Sequence, residues 1–194
     1  MRSRYLPVSF LTIWFAIFLV GCAGEAFKIA QEENTIAAYE QFLREYGDSE
    51  FVPQATNSIE DIKFQKIKER NTIFGYDLYL KENPNGSFAS EATELREKLR
   101  FDYCKERNTI FGYDLYLKEY PDGSFVSEVN RLREKCRFDY CKERNTIFGY
   151  DLYLKEYPNG SFVSEVNKLR LRKENEERLK QGVTESLANG DVNN

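Results

Sequence analysis

Asn108-Thr109-Ile110-Phe111-Gly112-Tyr113-Asp114-Leu115-Tyr116-Leu117-Lys118-Glu119-Tyr120-Pro121-Asp122-Gly123-Ser124-Phe125-Val126 is the stretch that decides the fold. It returns 37 residues later, from Asn145 to Val163, with Asn159 in place of Asp122 as its one change. It is also recognisable 37 residues earlier from Asn71, and in a more divergent form from Asn34. Aligning Phe27, Phe64, Phe101 and Phe138 divides the chain into four units, 27–63, 64–100, 101–137 and 138–174. The third and fourth units differ at six of their 37 positions. A period of this size marks a repeat array, in which each unit buries its apolar face only against its neighbours.

Each unit reads as two helices. Asn108 suits the left-handed residue that closes one helix, and Thr109 can cap the next. Ile110, Tyr113, Leu117 and Tyr120 stand three or four apart and make one apolar stripe, which Tyr116 widens. Pro121-Asp122-Gly123 breaks that short helix, and Ser124 is placed to cap a longer one running from about Phe125 to Arg144. On the long helix Phe125, Val129, Leu132, Cys136 and Tyr140 form one stripe, while Val126, Phe138 and Cys141 begin a second. Two stripes are required of a helix that packs on its hairpin partner and on the adjoining unit. The expected fold is therefore all-α, an α-solenoid of four helix hairpins.

The phrase Asn-Thr-x-x-x-Tyr-x-x-Tyr/Phe-Leu-x-x-Tyr-Pro-x-Gly/Ser-x-Phe-Val/Ala resembles the tetratricopeptide-like repeats of bacterial outer-membrane lipoproteins. These include the lipoprotein of the β-barrel assembly machinery and the periplasmic partner of the Tol-Pal system. Ala37-Ala38-Tyr39-Glu40-Gln41-Phe42-Leu43-Arg44-Glu45-Tyr46 is the closest to that style. The chain departs from it in its period of 37, in lacking the Trp-x-x-Leu-Gly half of the usual repeat, and in having Gly47 where the proline falls. The likeness concerns repeat architecture, and it implies an envelope scaffold or adaptor that binds other proteins.

The amino terminus supplies an address. Arg2 and Arg4 precede an apolar run from Tyr5 to Val20, the layout of a secretory signal peptide over 1–21. Leu19-Val20-Gly21-Cys22 resembles a bacterial lipobox, whose cysteine is acylated and becomes the first residue after cleavage. Cys22 is thus the lipid-attachment candidate, joined to the array by a tether over 22–26. Ala23 follows where an aspartate would signal inner-membrane retention, so by resemblance the outer membrane, periplasmic face, is expected. Removing Arg2 and Arg4 takes the formal charge from −4 to −6. Several acyl chains hold firmly, because each buried methylene contributes ~0.8 kcal/mol.

Composition narrows the chemistry. With 28 basic and 32 acidic residues, the chain lacks the basic excess of a nucleic-acid binder. It has no histidine, so a Ser-His-Asp or Cys-His pair, a His-ligated zinc site and a histidine pH switch are all excluded. Cys104 and Cys141 fall at the repeat position of Ala30 and Ile67, and Cys136 at that of Ile62 and Leu99, which reads as small buried hydrophobes. Glu128 with Glu134, the aspartates Asp77, Asp114 and Asp151, and the Lys-Glu-Arg runs at 68–70, 105–107 and 142–144 read as solvated faces. The Pro-Asn/Asp-Gly-Ser turns lack the alternating acids of a calcium loop. We expect no enzyme activity, no cofactor and no metal.

One repeated feature has two readings. Phe74, Phe111 and Phe148 replace Ala37 of the first unit, while Leu78, Leu115 and Leu152 replace Gln41. They either widen the core between units or form an exposed ribbon for a partner helix, an envelope protein or another copy of the chain. Gly75, Gly112 and Gly149 beside them suggest close helix approach. At the far end Lys173 and Asn175 replace Cys136 and Phe138, so the apolar pattern stops as an end cap requires. Residues 175–194 read as a polar helical extension and a disordered tail.

Overall fold

The computed structural model describes residues 22–188, and every described helix follows from the repeat. After α1 over 22–33 come α2 (Ile36–Glu45), α3 (Val52–Arg70), α4 (Ile73–Glu82), α5 (Ala89–Arg107), α6 (Ile110–Glu119), α7 (Val126–Arg144), α8 (Ile147–Glu156) and α9 (Val163–Ala188). Short helices of 10 residues alternate with long ones of 19 up to α7. No strand occurs among the described residues. The fold is all-α, a succession of helix hairpins of the α-solenoid class. It resolves into two compact units, one through Arg96 and the other from Glu97. Residues 1–21, read above as a signal peptide, and the tail beyond Ala188, read as disordered, lie outside the described residues.

The corner between long and short helices is built from two residues. Asn34, Asn71, Asn108 and Asn145 have φ between 45° and 47°, a left-handed conformation that asparagine tolerates better than most side chains. Each donates its backbone N–H to the carbonyl four residues back, at 2.9–3.0 Å. The next residue, Thr35, Thr72, Thr109 or Thr146, is extended and its hydroxyl accepts the N–H of the residue three further on, at 3.1–3.2 Å. The Tyr76, Tyr113 and Tyr150 hydroxyls lock the corner by donating to the Asn71, Asn108 and Asn145 side-chain oxygens at 2.9–3.1 Å.

The core is aromatic. In the first unit Phe27, Tyr39, Phe42, Phe64, Tyr76 and Tyr79 are buried. In the second, Phe101, Tyr113, Tyr116, Phe138, Tyr150 and Tyr153 take the same positions. The phenylalanine of each long helix lies parallel to the one that opens the next long helix. Phe64 and Phe88 stack at 4.5 Å, Phe101 and Phe125 at 4.4 Å, and Phe138 and Phe162 at 4.3 Å between ring centroids. Such pairs contribute about 0.5–1.5 kcal/mol beyond the area they bury.

Two details correct the sequence reading. Residues 22–26 are helical and Ala23 is buried, so the expected tether is the first turn of α1. At ~1.5 Å per residue the path from Cys22 to Phe27 is about 7.5 Å, half the extended reach. Ser124 does not cap α7: the cap position is Phe125, without a side-chain bond. The serine hydroxyl turns instead toward the Glu97 carboxylate, at 3.5 Å. At Gly75, Gly112 and Gly149 the first atom a Cβ would meet is the capping threonine oxygen, at 2.9–3.1 Å; the preceding long helix comes next, with Ile67 at 3.4 Å from Gly75 and the Cys141 Cα at 3.9 Å from Gly149.

Candidate interaction surface and lipid-attachment site

Among the described residues most aromatic rings are buried or half-buried; Tyr103 and Tyr140 are 45% and 40% exposed, and three phenylalanines are far more so. Phe74, Phe111 and Phe148 stand at the second position of α4, α6 and α8, and their rings are 76%, 78% and 78% exposed. One turn further along, Leu78 and Leu115 are exposed as well, whereas Leu152 is half-buried. Widening the core is therefore the wrong reading for the phenylalanines: the same repeat that buries Tyr76, Tyr113 and Tyr150 two residues later turns these rings to solvent. At 100° per residue, positions two apart on a helix point to opposite sides, so one side takes the core and the other takes the ring. The exposed Phe/Leu pairs of α4 and α6, and Phe148 on α8, are what a helix or a second protein surface can cover.

Cys22 is exposed at the start of the described residues. Ala23 and Phe27, buried on the same helix, fix α1 against Tyr39, Phe42 and Phe51. A group attached at Cys22 would therefore sit directly on the folded repeats. Beside it Ala23, Tyr46, Gly47 and Phe51, with Glu45, Asp48 and Glu50, line a cleft of about 530 Å³. None of the helices among the described residues is long and apolar enough to cross a membrane.

The remaining cysteines are free and carry no reactive geometry. The buried Cys104 and Cys141 thiols donate to the Gly112 and Gly149 carbonyls at 3.2 and 3.0 Å, and Cys136 donates to the Asn108 carbonyl at 3.3 Å. Burial pushes all three thiols above their ordinary range, which suppresses the thiolate.

The carboxylates divide in a way that composition did not reveal. Asp77, Asp114 and Asp151 are half-exposed and pair with Arg96, Arg133 and Arg170 across their hairpins. Lys68, Lys105 and Lys142 pair with Glu91, Glu128 and Glu165. Glu134, however, is not on a solvated face. It is 91% buried, and it accepts the Tyr153 hydroxyl at 2.6 Å, the Ser161 N–H at 2.5 Å and the Ser161 hydroxyl at 3.3 Å. Glu97 repeats this with Tyr116 at 2.6 Å, and Glu60 with Tyr79 at 2.5 Å and the Ser87 N–H at 2.9 Å.

This Glu–Tyr–turn clasp ties each long helix to the turn of the following hairpin. Gly86, Gly123 and Gly160 are needed there, because a Cβ would collide with the glutamate carboxylate and the tyrosine hydroxyl. Burial first, and then the hydrogen bond to glutamate, push the phenol of Tyr79 up to about 12, and those of Tyr116 and Tyr153 higher still. Every partner of the clasp belongs to the fold, and its role is structural. Among the described residues no group of acidic and cysteine side chains could hold a metal ion.

No protein-family model matches the chain, and no curated protein matches it.

Proposed function

We propose that this chain is a lipid-anchored protein of the bacterial envelope, held at the outer membrane through acylated Cys22. Its hairpin repeats act as a scaffold for other envelope proteins and catalyse nothing. The observation that carries the reading is the exposure of Phe74, Phe111 and Phe148, at one position of three repeats whose other aromatic rings are mostly buried. An aromatic ring left in water at the same place three times supports a binding role, because aromatic side chains are enriched among the anchors of protein interfaces. The Leu19-Val20-Gly21-Cys22 motif supports the anchor, and the exposure of Cys22 leaves it accessible for acylation.

Two measurements test this. Metabolic labelling with palmitate should mark the wild-type chain and not Cys22→Ser, and the label should sediment with outer membranes; labelling of Cys22→Ser would remove the anchor. A photo-crosslinking residue at position 111 or 148 should give a discrete adduct in cells that the same residue at Lys118 does not. Equal adducts at all three positions would remove the binding surface.

A further inference from the structure

Beyond Glu174, α9 has nothing packed against it: residues 175–187 are all exposed, a length of about 20 Å at ~1.5 Å per residue. That segment is not uniformly polar. Leu179, Val183 and Leu187 recur at every fourth residue and are 72%, 60% and 66% exposed. Gly182 and Ser186 fall on the same face, each three residues after an apolar member of the stripe, Leu179 and Val183. A glycine inside a helix disfavours it relative to alanine. Nothing lies within 4 Å of a Cβ at Gly182, so no contact within the chain requires it there. A small residue in an apolar stripe is what another helix needs for close approach.

We propose that this free end of α9 pairs antiparallel with the same segment of a second copy of the chain. The charges select the occupant and the direction. Arg178 and Glu185 stand seven residues apart on one flank of the stripe. Among the described residues Arg178 bonds only Asn175, and Glu185 has no partner. A two-fold axis perpendicular to the helices sets each flank beside the same flank reversed. Arg178 then meets Glu185 of the second copy, and the reverse, giving two ion pairs. A parallel pair, whose two-fold axis runs along the helices, sets each flank beside the opposite flank of the second copy, so Arg178 and Glu185 do not meet. The midpoint between 178 and 185 falls beside Gly182, the point where the helices must come closest. Lys180, on the other flank, lies level with Val183 and Thr184 of the second copy, so no like charges meet.

Three apolar side chains on a 13-residue segment bury less than the ~800 Å² per partner of a standard interface, so the pair is weak, with a dissociation constant on the order of tens of micromolar. Copies tethered in one membrane would meet at a raised effective concentration.

The experiment is sedimentation velocity of the full chain in mild detergent, up to about 500 μM, well above that constant. Reversible dimers are expected for the wild type. Arg178→Glu and Glu185→Arg should each weaken association about tenfold or more, and the Arg178→Glu/Glu185→Arg double variant should restore it. These residues are exposed, so circular dichroism should be unchanged in all three. A wild type that stays monomeric, or single variants that dimerise normally, overturns the proposal. Phe111→Ser/Phe148→Ser should dimerise like the wild type; loss of dimers there, with the charge variants unaffected, moves the contact to the short helices and also overturns it.

Discussion

Removing the Glu134 carboxylate tests whether the clasp holds the repeats together. Glu134→Ala leaves three donors without their acceptor, the Tyr153 hydroxyl, the Ser161 N–H and, more weakly, the Ser161 hydroxyl, in a site where the carboxylate was 91% buried. An orphaned buried donor costs about 1–3 kcal/mol, and the lost bonds were to a charged acceptor, so the total is about 3–5 kcal/mol. The sharper measurement is a double-mutant cycle. Glu134→Gln keeps an acceptor oxygen but loses the charge, and Tyr153→Phe removes the hydroxyl alone; we expect a coupling of about 1–2 kcal/mol between them. Urea unfolding followed by far-ultraviolet circular dichroism reads all four corners of the cycle. Glu128→Gln is the control, since that side chain is 42% exposed and its ion pair with Lys105 spans 3.6 Å; it should change stability by less than about 0.5 kcal/mol. Additivity within about 0.3 kcal/mol for Glu134 and Tyr153 would refute a clasp that works through this hydrogen bond.

The same bond predicts an alkaline limit. The buried phenols ionise above the ordinary value of 10.0, with Tyr79 at about 12, so they favour the folded state fully below pH 10 and lose that contribution as pH rises through their folded values. Phenolate absorbance of Tyr79, Tyr116 and Tyr153 should therefore rise together with loss of helix; a rise that precedes unfolding would contradict this. Gly160→Ala should destabilise by about 1–3 kcal/mol through its collision with Glu134 and Tyr153, as chemical denaturation would report. Gly182→Ala, with open space around it, should make α9 more helical and raise stability by up to about 1 kcal/mol. Exposed Phe111→Ser should leave the melt within about 1 °C of wild type, because surface changes away from special features cost little.

Some of the clasp was legible without coordinates. Glu60, Glu97 and Glu134 each precede a tyrosine by 19 residues, and in the first unit the corresponding pair is Ala23 with Phe42. Carboxylate and hydroxyl are thus present together or absent together, the trace of a contact. At the next equivalent position Leu171 replaces the glutamate, and 19 residues on Gly190 stands where the tyrosine would be. Read as one member of a pair with Glu128, Glu134 looks like a surface residue; only its position relative to Tyr153 and Ser161 reveals the burial. The Phe/Leu pairs could not be assigned from spacing, because a ring at helical spacing beside a core stripe serves a wider core or a bare face equally well. The apolar stripe of α9 was hidden by the charged residues between its members, although Leu179, Val183 and Leu187 keep the four-residue spacing of a helix face.

The sequence by itself determined the fold class, the number and length of the repeats, and the corners. These depend on local rules: period, caps, and the backbone preferences of asparagine, threonine and proline. It also determined that no histidine chemistry is possible. The tertiary structure alone decided which half of each short helix faces water, which glutamate is buried, and that residues 22–26 join the first helix. Those outcomes depend on neighbours brought from 19 to 27 residues away, and a pattern read one helix at a time does not contain them.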